Sequence, residues 1–192
     1  MGRDESGTVA RLLEHLTQRL APAATRRGGR VVRIKGDGSL IEFASAVDAL
    51  GAAIDFQQAM IEANRGQPGE KAIVFRVGLH LGDVIVAGDD IYGDDVNVAA
   101  RLEAEAPPGG IIVSRAVREA VSGRLKVSLH ALGELALKNI ERPIRAFRVE
   151  WDGTDWKTME AEASKLAIPA EPTTSTLALP DKPLSPYCRS RT

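Results

Sequence analysis

Gly36-Asp37-Gly38 lies between two short extended runs, Arg30 to Lys35 and Ser39 to Ala44. An Asp-Gly step between strand-forming segments predicts a tight β-hairpin, because both residues tolerate the backbone angles a two-residue turn needs. Helical patterns flank it. Upstream, Val9, Leu12, Leu13, Leu16 and Leu20 recur at helical spacing, predicting a helix over about 5–27 that Gly28-Gly29 ends. Pro22 disturbs its last turn. Downstream, Ser45 is placed to cap a helix running to Asn64, with Val47, Leu50, Ile54 and Ile61 inward. A second hairpin is expected from Ile73 to His80 and Val84 to Val86. A loop over 88–93 then leads to a helix over about 95–106, stopped by Pro107-Pro108-Gly109-Gly110. Ile111 to Ser114 reads as a strand and Arg115 to Val121 as a short helix. Three short strands are expected near 125–129, 135–138 and 145–150. Helices alternating with hairpins in this order give an α+β layout, with helices packed on a mainly antiparallel sheet.

The 192 residues suffice for one domain and a tail. We expect the domain over 1–151. Residues 152–192 become rich in Pro, Ser, Thr and Ala and lose apolar period, so they read as a linker or disordered tail. Lys and Arg number 25 against 26 Asp and Glu, a balance that argues against a protein built to coat nucleic acid. No apolar run approaches a membrane span. The N-terminus is too polar for a secretory signal. With one cysteine, Cys188, no disulfide framework forms within a chain. A cytoplasmic location is the resulting expectation.

Asp90-Ile-Tyr-Gly-Asp-Asp-Val-Asn97-Val-Ala-Ala-Arg101 is the stretch richest in chemistry. Asn97 and Arg101 are four apart, so on a helix they share one face. A carboxamide beside a guanidinium can grip a sugar oxygen and a phosphate together, and Arg binds phosphate as a permanently charged planar fork. Asp90 lies outside the helix and can face a base edge. Each residue also has a structural reading: Asn97 and Arg101 as a solvated helix face, Asp90 as a loop acid, Asp94 or Asp95 as a cap. Asp37 likewise serves either the turn or a Mg²⁺ ion, which is often held by one or two carboxylates plus substrate phosphates. Lys138 fits an edge strand. His15, His80 and His130 show no metal-ligand spacing, and Asp83 reads as another hairpin acid.

Taken together, the hairpin Gly36-Asp37-Gly38-Ser39-Leu40-Ile41-Glu42-Phe43, then Phe75-Arg76-Val77-Gly78-Leu79-His80-Leu81-Gly82-Asp83, the Asp90 to Arg101 stretch, Pro108-Gly109-Gly110-Ile111 and Leu137-Lys138-Asn139-Ile140 resemble the catalytic domain of class III adenylate and guanylate cyclases of bacterial type. The resemblance spans about 3–149. It implies a ferredoxin-like nucleotidyl cyclase fold and conversion of ATP to 3′,5′-cyclic AMP and pyrophosphate, with two Mg²⁺ or Mn²⁺ ions. It implies that Asp37 is a metal ligand, that Asn97 orients the ribose and Arg101 stabilises charge on the α-phosphate, and that Lys138 reaches the terminal phosphates. It also implies a homodimer, or a heterodimer with another cyclase domain, because such sites form between two domains. Arg33 and Asp90 match the base-reading pair, although Lys is usual where Arg33 stands, and the pair favours ATP over GTP.

The resemblance also exposes a departure. A first strand ending in a second metal-binding aspartate is expected just before the first helix, and nothing between Met1 and Thr8 matches it. Asp4 and Glu5 sit at the start of the helix instead. The expectation is therefore a sheet lacking one strand, with open apolar surface beside it, a weakened or inactive metal site, and a chain that is a fragment of a longer cyclase. A non-catalytic cyclase-like module, used for regulation or pairing, is the alternative.

Overall fold

The computed structural model describes residues 5–154 and 156. The first helical run is α1 (Glu5–His15), a π-helical turn (Leu16–Leu20) and α2 (Ala21–Arg26). The wide turn falls just before Pro22, whose ring cannot accept a normal helical neighbour and which has no N–H to donate. The expected hairpin follows as β1 (Arg30–Lys35) and β2 (Gly38–Glu42), paired antiparallel. In helix α3 (Ala46–Asn64) the Ser45 hydroxyl accepts from the Asp48 amide at 3.3 Å. Leu50 and Ile54 are fully buried as expected. Ile61 is not: it is 54% exposed near the end of α3, and Asn64 in the same turn brackets the Ile73 backbone at 2.8 and 3.2 Å.

The second hairpin forms with different partners from those expected. Strand β3 (Val77–Leu79) pairs in parallel with β6 (Ile111–Ser114), and β4 (Ile85–Ala87) instead turns back onto β5 (Asp90–Tyr92). Helix α4 (Asp94–Glu105) follows β5, and α5 (Arg115–Val121) follows β6. The three short strands expected after α5 are two longer ones, β7 (Ser128–Leu135) and β8 (Ile144–Glu150). The main sheet has the order β3-β6-β8-β7, antiparallel except for β3 with β6.

Strand β6 explains how the layers assemble. All four of its residues are buried, as expected for a strand covered on both faces. Ile111 and Val113 pack with Leu50 and Ile54 of α3 and Val117 and Val121 of α5. Ile112 points the other way and packs with Val98 and Leu102 of α4. The sheet is thus sandwiched, with α3 and α5 on one face and α4 on the other. Trp156 is buried against the α3 side. Its indole N–H donates to Asp55 at 2.7 Å, Arg27 Nε donates to the other oxygen of Asp55 at 2.6 Å, and the Arg27 guanidinium lies 5.6 Å from the Trp156 ring centroid. Asp55 is a buried carboxylate with both oxygens engaged, the condition under which a buried charge is tolerated.

Among the described residues β1–β2 forms its own two-stranded sheet, separate from β3. Between β2 and β3 lies a cavity of about 1020 Å³ lined by Leu40, Phe43, Val77 and Leu79 and reaching Asp37 and Glu103. Met1 to Asp4 lie outside the described residues, as does most of the tail expected over 152–192; of that tail, residues 152–154 and 156 are described, and Trp156 is buried.

Candidate active site

The site candidates come from four places: the β1–β2 hairpin, the β4–β5 ribbon, α4 and the turn between β7 and β8. Asp37 stands in the turn of the hairpin, as its sequence context predicted. Arg30 and Arg33 are three apart on β1, so in a regular strand they face opposite ways. The register slips between Val31 and Arg33, and this bulge brings both arginines to the ribbon. Arg30 Nη1 donates to the Asp89 carbonyl at 3.1 Å, and Arg33 Nη1 donates to Asp90 Oδ2 at 3.0 Å. The other oxygen of Asp90 accepts from the Ile91 amide at 2.9 Å. The two residues that the resemblance assigned to base reading, 57 positions apart, are therefore an ion pair, 40% and 28% exposed. Each keeps unused hydrogen-bonding capacity.

Gly93 joins the ribbon to α4 with φ of 141° and ψ of 167°, a conformation open essentially to glycine alone. The chain can therefore turn from β5 directly into the helix. Val98 and Leu102 anchor α4 to the sheet, leaving Asn97 exposed and Arg101 half-buried on another face. Neither side chain has a hydrogen-bond or ion-pair partner among the described residues, so both have their full capacity available to a ligand. Lys138 is exposed and lies in a turn between β7 and β8, not on an edge strand as expected. The strand stops earlier, and Asn139 follows in the left-handed region at φ 63°.

The electrostatics link the hairpin to α4. Partial burial is the largest influence on the Glu103 carboxyl and raises its pKa above the ordinary glutamate value; the charge of Asp37 raises it further, and Arg76 opposes both. The sequence alone gives Glu103 no role, reads Asp83 as a hairpin acid and shows no metal-ligand spacing at His80. Asp95 accepts from the Asp83 amide at 2.8 Å and pairs with His80 Nε2 at 3.0 Å. For a divalent ion, no three His, Cys, Asp or Glu side chains converge among the described residues. The hairpin turn offers the carboxylate of Asp37, while Glu42 at the far end of β2 is engaged by Arg30 at 3.0 and 2.7 Å, and Asp37 does not by itself fit a two-ion site.

Residues 3–150 match the adenylate and guanylate cyclase catalytic domain family. The chain is 40% identical over 187 residues to "Putative adenylate cyclase 3" of Rhizobium meliloti, covering 97% of this chain and 31% of that protein. It spans less than half the length of that relative, and of the uncharacterized Mycobacterium bovis protein Mb0915c, to which it is 32% identical over 139 residues. Among solved structures, the adenylate/guanylate cyclase/hydrolase from Silicibacter pomeroyi superposes with a TM-score of 0.72 at 36% identity, over 80% of this chain and 92% of that one. The adenylyl cyclase CyaB from P. aeruginosa shares the fold, with a TM-score of 0.65 at 21% identity over 80% and 87% of the two chains. No helix among the described residues is long and apolar enough to cross a membrane. With its ordered motifs, its sandwiched sheet and a family match over most of its length, the chain belongs to the adenylate and guanylate cyclase catalytic domain family.

Proposed function

We propose that this chain is the catalytic domain of an adenylate cyclase, cyclising ATP to 3′,5′-cyclic AMP with release of pyrophosphate. The observation that carries this reading is the Arg33–Asp90 pair beside a helix that bears Asn97 and Arg101 without protein partners. A purine edge that both donates and accepts suits such a pair: the adenine amino group can donate to Asp90, and a ring nitrogen can accept from Arg33. Asn97 holds the ribose so that its 3′-oxygen faces the α-phosphorus. The bond from that oxygen to phosphorus forms as the bond to the pyrophosphate oxygen breaks, and the hydroxyl proton passes to solvent water. Arg101 donates to the α-phosphate oxygens, where charge builds in the transition state. Lys138, from its exposed turn, neutralises the terminal phosphates.

A divalent ion held in part by Asp37 would lower the pKa of the attacking hydroxyl and screen the phosphates. Asp37 is the residue here suited to contact it, and its neighbours do not complete a two-ion site. A second copy of this chain would pair the Asp37 of one domain with the Asn97 and Arg101 of the other, and a related cyclase domain would also bring the carboxylate that Asp37 lacks beside it. The same shortage of carboxylates supports a second reading, a non-catalytic module that binds nucleotide or pairs with an active cyclase.

The test is cyclic nucleotide formation from ATP or GTP with Mn²⁺, by the purified chain alone and mixed with a related full-length cyclase. Product from ATP in excess over GTP, abolished in Asp37→Ala for the chain alone, supports the first reading. Stimulation only in the mixture supports a complementing half. No product, no nucleotide binding and no association with the cyclase under either condition would exclude both.

A further inference from the structure

The strand that borders α4 carries three different contacts at alternate positions. Val77 and Leu79 of β3 face the α3–α5 core. With side-chain period two, Arg76, Gly78 and His80 then face the opposite side, where α4 lies. Each meets the helix at a different height. Arg76 Nη1 donates to the Ala104 carbonyl at 3.2 Å, near the C-terminal end. Gly78 lies so close to the middle that a Cβ there would stand 2.4 Å from the Ala99 carbonyl oxygen and 2.3 Å from the Glu103 amide nitrogen. His80 Nε2 pairs with Asp95 Oδ1 at 3.0 Å, in the first turn. Asp95, Ala99 and Glu103 form one stripe of the helix, and Asn97 and Arg101 fall about 160–200° around the axis from its centre at 100° per residue.

We propose that Arg76, Gly78 and His80 form a three-point cradle that sets the rotation and height of α4, with His80 the positioning residue for Asn97 and Arg101. This rests on the reading of Asn97 and Arg101 as substrate contacts. Hydrophobic packing through Val98 and Leu102 holds the helix to the sheet but is non-directional and tolerates rotation. A hydrogen bond at one end and a backbone close contact in the middle do not. His80 is the informative member, because its Nδ1 is buried with no protein partner and Nε2–Asp95 is therefore the ring's one polar contact among the described residues. Asp95 in turn accepts from the Asp83 amide at 2.8 Å, so one carboxylate ties both ends of the 80–83 segment to the first turn of α4.

The test compares wild type, His80→Ala and His80→Gln, the last of which keeps an amide donor at similar reach. Two readouts are taken: amide exchange of the 94–105 segment by mass spectrometry, and the steady-state kinetics of ATP cyclisation in the mixed assay. His80→Ala is expected to speed exchange in the first turn of α4 by about tenfold while the β6–β8 amides stay protected. It is expected to lower kcat about tenfold with KM within about twofold, the mark of mispositioned groups that act in the transition state. His80→Gln is expected to restore both. Wild-type exchange in α4 together with wild-type kcat in His80→Ala overturns the cradle. So does faster exchange throughout the chain that His80→Gln fails to restore, because that marks a general structural role. If the wild-type chain gives no turnover, the cyclase reading has failed on its own terms, and local exchange in α4 still decides the positioning claim.

Discussion

Strand β6 is buried on both faces, with every residue from Ile111 to Ser114 enclosed, while the β4–β5 ribbon leaves Ile85 68% and Val86 60% exposed. The two regions are held by different forces. Around β6, α3, α5 and α4 converge through apolar side chains, and stability there scales with area removed from water. Around the site, the hairpin is tied to the ribbon by Arg30 and Arg33, and the first turn of α4 is tied to β3 by His80. Hydrophobic burial decides that the sheet and helices form; directional polar contacts decide where the candidate site residues stand. Substitutions in the first region should therefore lower stability, and substitutions in the second should change selectivity or turnover with little loss of fold.

The sharpest way to break this contrast is Asp55, a charged residue inside the apolar region. Asp55→Ala takes the acceptor from Trp156 and the carboxylate from Arg27, and is expected to cost about 3–5 kcal/mol in urea unfolding. Ile54→Ala, at a fully buried position against β6, should cost roughly 2–5 kcal/mol by the same measurement. On the other side, Arg33→Ala removes a partly exposed pair and should cost under about 1 kcal/mol, while reducing the preference for ATP over GTP in competition binding. A loss at Arg33 as large as that at Ile54 would erase the distinction between the two regions.

The smallest effect concerns Glu103. Its pKa is raised in the folded chain, so between the ordinary glutamate value and the raised one the folded state binds more proton than the unfolded. Stability then falls as pH rises through that window. Glu103→Gln should remove this slope, leaving the variant slightly more stable at neutral pH and indistinguishable well below the ordinary value. Solvent screening keeps the difference small, and the melting temperature measured across pH checks it.

The hairpin, α3 and α5 were legible because their signals are local: an Asp-Gly turn, a capping serine and a run of apolar residues at one period. The partner of β3 was not. Ile73 to His80 followed by Gly82-Asp83 reads as half of a hairpin, yet β3 pairs in parallel with β6, more than thirty residues later, while Asp83 is held by Asp95. Nothing local encodes that choice. The site residues were legible as types at fixed spacing. Their meeting was not, because the Arg33–Asp90 contact depends on a bulge after Val31 that leaves no signature in the residues themselves. His80 shows no metal-ligand spacing in the sequence, and its contact with Asp95 appears only when β3 and α4 are brought side by side.

The account rests on α4 presenting Asn97 and Arg101 to a nucleotide. The most direct measurement is the rate of cyclic AMP formation from ATP with Mn²⁺, for wild type and Arg101→Ala, each mixed with a related full-length cyclase. The account predicts that Arg101→Ala lowers kcat by about 10²–10³ with ATP affinity and melting temperature nearly unchanged, the signature of a contact made chiefly in the transition state. An Arg101→Ala chain that matches wild-type turnover in an assay where wild type is active would contradict it.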